Sequence, residues 1–178
     1  ALPASVCGDV ESGGATPDLL IASDFPLQGG GQQHVSRFMA DAIRFVLRRH
    51  GYRAGEYVVG YQSCDDSTAQ SVGSAYFKCA SNAKAYSRTT QLVGLIGPYM
   101  SYCAEVQLPI LNRASSGSVP VISSSNTNPG LTRAGPGAPP GQPESLYPTG
   151  VRNYLRVVPG DDLAGAADAV FAKQLGLR

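Results

Sequence analysis

Short apolar runs alternate with segments of helical period along most of this sequence, and this alternation limits the fold more than any other feature. The runs at 18–23, 57–62 and 92–96 are bounded by turn residues. Residues 33–49 between the first two runs place apolar side chains on one helical face, and Gly51 ends that segment. Strands separated by helices of this length predict βαβ units and a mostly parallel sheet with helices on both faces. We therefore expect an α/β fold with three α-β-α layers.

The remaining elements follow from the same patterns. They are a helix from Asp66 or Ser67 to about Tyr86, a helix from about Tyr102 to Ala114 that is kinked or interrupted at Pro109, strands at 119–122 and 154–158, and a last helix capped by Asp161 or Asp162. The chain divides into an N-terminal extension (1–17), a lobe (18–158) and a final helical segment (159–178). Within the lobe, residues 129–150 are rich in glycine and proline and predict a long irregular loop.

Composition excludes several classes of partner. Charged residues make up 15% of the 178 residues, the formal net charge is +1, and no basic stripe is present. Nucleic acid and anionic membrane are therefore not expected as partners. No apolar run reaches the length of a membrane span. The chain begins Ala1-Leu2-Pro3-Ala4, as a processed product would, and we expect an exported domain outside the cytoplasm.

Four cysteines are present, and their spacing matches no zinc pattern. They are Cys7, Cys64, Cys79 and Cys103. Two disulfides formed in an oxidising compartment are one interpretation, and four buried free thiols are the other. No motif calls for a metal or a cofactor.

Polar loops follow the predicted strands at the sheet edge where ligands bind in parallel α/β folds. Ser101 lies at a helix start, where it either caps the helix or donates its hydroxyl to a ligand carboxylate. The carbonyl of Ser125 and the hydroxyl of Thr127 either accept a ligand ammonium group or hold their own turn. Tyr99 and Tyr102 either line the pocket or pack in the protein. An anion site beside an ammonium site predicts an amino-acid-like ligand.

Enzyme interpretations have less support. Asp65 and Asp66 could hold a metal or accept a phosphoryl group, but a helix-capping pair is the favoured interpretation. The sequence has neither a Gly-x-Ser-x-Gly elbow nor a P-loop. We therefore expect a binding protein rather than an enzyme.

These residues together resemble the type I periplasmic binding proteins, and within them the branched-chain amino acid receptors of ABC importers. The resemblance covers most of the chain beyond residue 18 in the family's own order. The matching stretches are PLQGGGQQ (26–33), YQSCDD (61–66), VGLIGPYMS (93–101), LPILNRASSGSVPVISSSNTNPGLT (108–132) and YLRVVPGDD (154–162). The resemblance implies a flavodoxin-like N-terminal lobe, which closes on its ligand with a second lobe and delivers it to an ABC permease.

The resemblance also assigns roles to residues. Ser101 is similar to the family's carboxylate-binding serine, Ser125 to the residue whose carbonyl takes the ligand ammonium, and Thr127 to its hydroxyl partner. Gly30 stands where the family often has a side chain over the ligand, so the resemblance does not extend to selectivity for branched chains.

The family often has a disulfide from the end of the second strand to the loop after the third. Cys64 matches one side and Met100 the other, with Cys103 as the substitute, which implies the pairs Cys64–Cys103 and Cys7–Cys79. The chain stops after the helix that leads into the family's second lobe, so that lobe is absent from this sequence and the last helix is expected to expose an apolar face that favours self-association. A ligand-sensing domain of a receptor or regulator with the same fold is the alternative to transport.

Overall fold

The computed structural model describes residues 1–29 and 31–177, in which four α-helices surround a six-stranded sheet. The helices are α1 (Gln33–Arg49), α2 (Tyr76–Tyr86), α3 (Ser101–Asn112) and α4 (Asp161–Gln174). The strands are β1 (Leu19–Phe25), β2 (Arg53–Ala54), β3 (Tyr57–Asp65), β4 (Leu92–Ile96), β5 (Val121–Ser123) and β6 (Tyr154–Arg156). Their order across the sheet is β2-β3-β1-β4-β5-β6, and every pair is parallel except β2 with β3. Without the short β2, this is the strand order of flavodoxin-like folds.

The two faces of the sheet are covered differently. The pairing register aligns Leu95, Val121 and Tyr154 on one face, where they are buried in a core shared with α2 and α3. The opposite face presents Ile122 and Leu155, whose side chains are 43% and 66% exposed. The three-layer α/β prediction is confirmed, with α1 as the helix of the second face.

Most predicted elements occur where the sequence places them, and α2 is the main exception. The α1 and β4 bounds agree with prediction, and α3 continues through Pro109. The helix predicted from Asp66 or Ser67 starts only at Tyr76, because the residues before it form a loop. In that loop the Asp66 carbonyl accepts a hydrogen bond from the Ala75 amide at 2.5 Å, and the Asp66 carboxylate accepts one from Ser74 at 2.8 Å.

The disulfide pairing implied by the family resemblance is wrong. The bonds are Cys7–Cys64, with Cα atoms 3.9 Å apart, and Cys79–Cys103, with Cα atoms 5.4 Å apart. Residues 6–11 run antiparallel beside β3, and this pairing sets Cys7 opposite Cys64. The late start of α2 places Cys79 in its first turn, at the same sheet edge as Cys103 in the first turn of the neighbouring α3.

The Gly/Pro-rich loop (residues 129–150) folds back onto α3. Short 3-10 helices at Pro129–Leu131 and Glu144–Leu146 bring Leu131, Leu146 and Tyr147 into the core. The Tyr147 hydroxyl donates to the Leu131 carbonyl at 2.5 Å and closes the loop on itself. The loop is therefore a packed part of the lobe.

Neither α1 nor α4 buries the apolar face that its sequence predicts. On α1 only Ser36 and Ala40 are buried, and Phe38 is 72% exposed. No residue of α4 is buried, and Phe171 is 60% exposed. Within residues 1–29 and 31–177, no helix combines the length and the apolar character needed to cross a lipid bilayer.

Candidate functional site

The candidate site lies where β1, β4 and β5 end, beside the point at which the strand order reverses. From β1 the chain continues to β3 on one side and later returns as β4 on the other, and ligands in such sheets bind at this crevice. Gly97, just after β4, has φ +123° and lies against β1, because a Cβ there would come within 2.6 Å of the Asp24 carbonyl oxygen. Glycine at this position lets the two loops meet.

Ser101 joins the loops after β4 and β5. Its Oγ accepts hydrogen bonds from the amides of Thr127 at 3.2 Å and Asn128 at 3.3 Å. Met100 is the cap of α3 and Ser101 its first residue, so the capping role considered from the sequence is not the one that Ser101 has. Both oxygen lone pairs are used, whereas the hydroxyl proton meets no acceptor among the described residues. The Ser101 hydroxyl can therefore donate to an anion at the first turn of α3.

Ser125 and Asn126 fasten the loop after β5 to the loop after β4. The Ser125 hydroxyl donates to the Tyr99 carbonyl at 2.8 Å. The side-chain Nδ2 of Asn126 donates to the Pro98 carbonyl at 3.0 Å and the Tyr99 carbonyl at 2.9 Å. Tyr154, in β6, donates a hydrogen bond from its hydroxyl to Asn126 Oδ1 at 3.0 Å. No hydrogen bond from the described residues reaches the Ser125 carbonyl, which is thus available as an acceptor.

Thr127 is paired with the start of α4. Its hydroxyl donates to Asp161 Oδ2 at 3.0 Å, and its carbonyl accepts from the Asp161 amide at 2.9 Å. Because the hydroxyl proton is used on the carboxylate, the lone pairs of Thr127 Oγ1 remain to accept hydrogen bonds. The arrangement puts an acceptor hydroxyl and a carboxylate together, which suits an ammonium group.

Asp161 is a residue whose part in the site sequence reasoning missed. It was expected only to cap the last helix, and the structure shows Gly160 as the cap with Asp161 turned to Thr127. No local pattern in the sequence separates this contact from a helix cap, because an acidic residue at a helix start fits both roles.

The other predicted site residues are placed less centrally. Tyr102 donates its hydroxyl to the Ser74 carbonyl at 2.6 Å and is 38% exposed, so its ring lies on the α2 side of the loops. Tyr99 contributes its carbonyl to the fastening of the β5 loop and is half-buried. Gly30 lies outside the described residues.

Two buried carboxyl groups lie behind the loops. Asp24 accepts hydrogen bonds from Asn82 at 2.9 Å, from Tyr86 at 2.8 Å and from Gln107, and thereby ties β1 to α2 and α3. Burial raises the pKa of Asp24 to about 6. Burial, aided by the charge of Asp24, raises the pKa of Asp66 to about 8. At neutral pH Asp66 therefore holds its proton, whereas Asp24, which three side chains hydrogen-bond, is the ionised member of the pair.

Asp65 braces the loop after β1, which rules out the helix-capping role favoured from the sequence. Its Oδ1 accepts from the amides of Leu27 at 3.0 Å and Ser67 at 2.9 Å, and Lys78 Nζ lies 3.4 Å from its Oδ2. Burial would raise the pKa of Asp65, but hydrogen bonds led by that from Ser67 hold it below its usual value. The carboxylate is thus fully engaged in structural contacts.

One group of potential metal ligands occurs among residues 1–29 and 31–177, namely Asp66, Cys79 and Cys103. The two sulfur atoms are bonded to each other, so they are not thiolate ligands. This arrangement does not support the metal or phosphoryl chemistry considered for Asp65 and Asp66.

An open cleft of about 660 Å³ adjoins Ser101. One side is formed by Ser101 and Asn128, the next by Asp161 and Asp162, and the third by prolines of the Gly/Pro-rich loop. The volume lies within the range of small-molecule sites.

Comparison with solved structures identifies proteins that share this architecture. A leucine-binding protein from Thermotoga maritima aligns over 89% of this chain and 38% of its own, at 23% identity and a TM-score of 0.63. An ABC transporter substrate-binding protein from Desulfitobacterium hafniense aligns over 89% and 39%, at 14% identity and the same TM-score of 0.63. A branched-chain amino acid transporter substrate-binding protein from Streptococcus pneumoniae, solved with isoleucine, aligns over 80% and 34%, at 16% identity and a TM-score of 0.58.

Comparisons by sequence add no further relative, since neither a family model nor a curated protein matches the chain. The chain spans 34% to 39% of the length of the three similar structures. At identities below one quarter, the likeness concerns the fold. The chain has the flavodoxin-like α/β fold of one lobe of a type I periplasmic binding protein.

Proposed function

We propose that this chain is a ligand-binding lobe of an extracytoplasmic solute-binding protein, which captures an amino acid or a similar small zwitterion for an ABC-type importer. In this proposal residues 18–158 form the N-terminal lobe, and the segment from 159 leads towards a second lobe that completes the pocket. The protein binds its ligand and does not transform it. The two disulfides suit an oxidising location outside the cytoplasm.

The observation that carries the proposal is that one hydroxyl group of the site is left free to donate a hydrogen bond and a second is left free to accept one. Ser101 has used its lone pairs and retains its proton, so it suits a carboxylate. Thr127 has given its proton to Asp161 and retains its lone pairs, so it suits an ammonium group. A hydrogen bond between Ser101 Oγ and the Thr127 amide, 3.2 Å long, joins the two residues. A donor and an acceptor this close match the two charged groups on one α-carbon.

Side-chain substitutions test this assignment in the 178-residue chain. A single lobe covers only part of a ligand, so we expect millimolar affinities, which amide chemical shifts in a 15N-labelled sample can measure. Ser101→Ala and Thr127→Val should each weaken binding of L-leucine or L-alanine by about tenfold or more, as expected for hydrogen bonds to charged groups. Unchanged affinity in both variants would refute the site.

Two further variants serve as controls. Thr127→Ser keeps the hydroxyl and should retain most of the affinity. Ser116→Ala removes an exposed hydroxyl outside the site and should bind as the wild type does. The spectra also show whether each variant is folded.

A further inference from the structure

A second cavity lies beside the N-terminal extension, apart from the cleft at Ser101. It has a volume of about 390 Å³, and none of its lining residues lines that cleft. Its walls are the extension at residues 4–8, the loop after β1, the end of β3, Arg44 of α1 and Lys78 of α2. We infer that this cavity binds a small oxyanion, a phosphate or a carboxylate, through Arg44 and Lys78. The inference does not depend on the proposed function.

The extension is fastened to β3, so the cavity has a fixed wall. A disulfide bond joins Cys7 to Cys64 of β3. The Gly8 amide donates to the Ser63 carbonyl at 2.9 Å, and a second backbone hydrogen bond, 2.8 Å long, joins Val6 to the last residue of β3. A ligand that enters this cavity therefore meets groups that are already in place, which lowers the entropic cost of binding.

Arg44 brings to the cavity hydrogen-bond donors that the protein itself does not use. Its Nε donates to Glu11 at 2.6 Å, and one proton of its Nη1 goes to Asp41 at 3.0 Å. Neither proton of Nη2 takes part in a hydrogen bond among the described residues. The guanidinium lies over the ring of Tyr61, with Cζ 5.6 Å from the ring centroid, and this contact helps to hold it in place. Its planar shape and free donors match the oxygens of a phosphate or a carboxylate.

Lys78 supplies the second positive charge. Its side chain is 15% exposed, and its Nζ donates one proton to the Ser67 carbonyl at 2.7 Å. Asp65 Oδ2 lies 3.4 Å from Nζ. This carboxylate already accepts hydrogen bonds from Leu27, Ser67 and Gln28. The ammonium group therefore keeps protons for a ligand, and the charged residues that line the cavity are two cations and one occupied carboxylate, which favours an anion.

Amide chemical-shift titrations of the 15N-labelled 178-residue chain test the cavity. Sodium phosphate and sodium succinate are added separately at neutral pH and constant ionic strength, with sodium chloride as the reference. We expect at least one of the two oxyanions to bind at millimolar concentration and to shift the amide signals of residues 5–8, whereas chloride should not. A response to phosphate alone assigns the cavity to phosphate, a response to succinate alone assigns it to carboxylates, and either response supports the site.

Substitution of the two cations separates this site from general attraction of anions. Arg44→Gln and Lys78→Gln should each weaken the binding by about tenfold or more, as expected for hydrogen bonds between charged groups. Arg113→Gln and Lys84→Gln remove the same charges at exposed positions outside the cavity and should bind as the wild type does.

Two further variants keep the test sharp if Arg44→Gln disturbs α1. Arg44→Lys keeps the charge but removes the planar group, and Cys7→Ser/Cys64→Ser frees the extension; each should weaken the binding by several-fold. The spectra show whether each variant is folded. Absence of shifts at residues 5–8 with both oxyanions, or an unchanged affinity in both Arg44→Gln and Lys78→Gln, would overturn the site. Neither result bears on Ser101 and Thr127, so the proposed function is tested separately.

Discussion

Hydrogen bonds within the protein fix whether each hydroxyl group of the candidate site can donate to a ligand or accept from it. Ser101 accepts two backbone amides and Thr127 donates to Asp161, so each has one kind of hydrogen-bonding capacity left. Ser101 can only donate to a ligand and Thr127 can only accept from one. A zwitterion therefore binds in one orientation, with its carboxylate at Ser101 and its ammonium group at Thr127.

The buried carboxyl groups predict how stability depends on pH. Asp66 has a pKa of about 8 in the folded protein and near 3.8 when exposed, so the folded state holds its proton where the unfolded state releases it. The contribution of Asp66 to the free energy of unfolding should therefore be fully present below about pH 4 and should be lost as the pH rises through 8. Asp66→Asn should reduce this loss and stabilise the protein at pH 8 by at least about 2 kcal/mol, as measured by urea unfolding at pH 5 and pH 8.

An exposed carboxyl provides the control for that measurement. Asp168→Asn, on the outer surface of α4, should leave the difference between pH 5 and pH 8 unchanged. Parallel pH profiles for the wild type and Asp66→Asn would show that Asp66 is ionised at neutral pH, contrary to the account.

Part of the candidate site could be predicted from the sequence. Ser101, Ser125 and Thr127 could be singled out because they follow apolar strands in polar loops. Asp161 could not, since an acidic residue at a helix start has the same pattern whether it caps its helix or bonds to another loop. Asp24 and Asp66 were missed as a buried pair because burial depends on how α2 and α3 pack, which no local pattern records.

At the scale of elements, the loop after β1 depends on one glycine. Gly29 has φ +57°, and a Cβ there would lie 2.6 to 2.9 Å from the carbonyl oxygens of Thr68, Ala69 and Ser71. Gly29→Ala should lower the free energy of unfolding by roughly 1–3 kcal/mol, because both the backbone conformation and the contact are unfavourable. Gly31→Ala meets nothing within 4 Å and should be nearly neutral, so equal unfolding curves for the two variants would refute this account of the loop.

The disulfides fasten two different element pairs and can be mapped directly. Digestion without reduction, followed by mass spectrometry, should yield the Cys7 peptide linked to that of Cys64 and the Cys79 peptide linked to that of Cys103. Any peptide joining Cys64 to Cys103 would contradict the structure. Replacing both Cys79 and Cys103 by serine should cost roughly 3 kcal/mol, as expected for closing a loop of this length.

The elements themselves show where sequence patterns suffice. The bounds of α1 and β4 were predictable because apolar periodicity and glycine stops coincide there. The start of α2 was not, because Asp66 and Ser67 are typical capping residues that here serve the loop before the helix. The family resemblance implied the wrong partner for Cys103, and a helix predicted to start about nine residues too early also placed Cys79 far from the sheet edge where it meets Cys103.

For the whole molecule, the second face of the sheet is covered only in part by α1, and apolar side chains of both α1 and the sheet remain exposed there. Phe38 and Phe45 on α1 are 72% and 60% exposed, and Leu155 and Val157 at β6 are 66% and 74% exposed. Parallel sheets are normally covered on both faces, so this exposed apolar surface should favour association with another protein surface. The net charge of +1 opposes association only weakly.

We therefore expect the isolated chain to associate with itself through this face. Sedimentation velocity at increasing concentration should show dimers or larger species, and Leu155→Glu should shift them towards monomer. Val72→Glu is the matched control, since Val72 is 81% exposed but lies in the loop before α2. A monomer at all concentrations, or equal effects of the two variants, would contradict the expectation.

Ligand analogues test directly whether one small zwitterion bridges Ser101 and Thr127. Amide chemical-shift titration of the chain with L-leucine can be compared with 4-methylpentanoate, which lacks the ammonium group, and with 3-methylbutylamine, which lacks the carboxylate. We expect L-leucine to bind at least about tenfold more tightly than either analogue and to shift the backbone amide signals of residues 101 and 127. Equal affinity for L-leucine and either analogue would show that one of the two charged subsites does not exist.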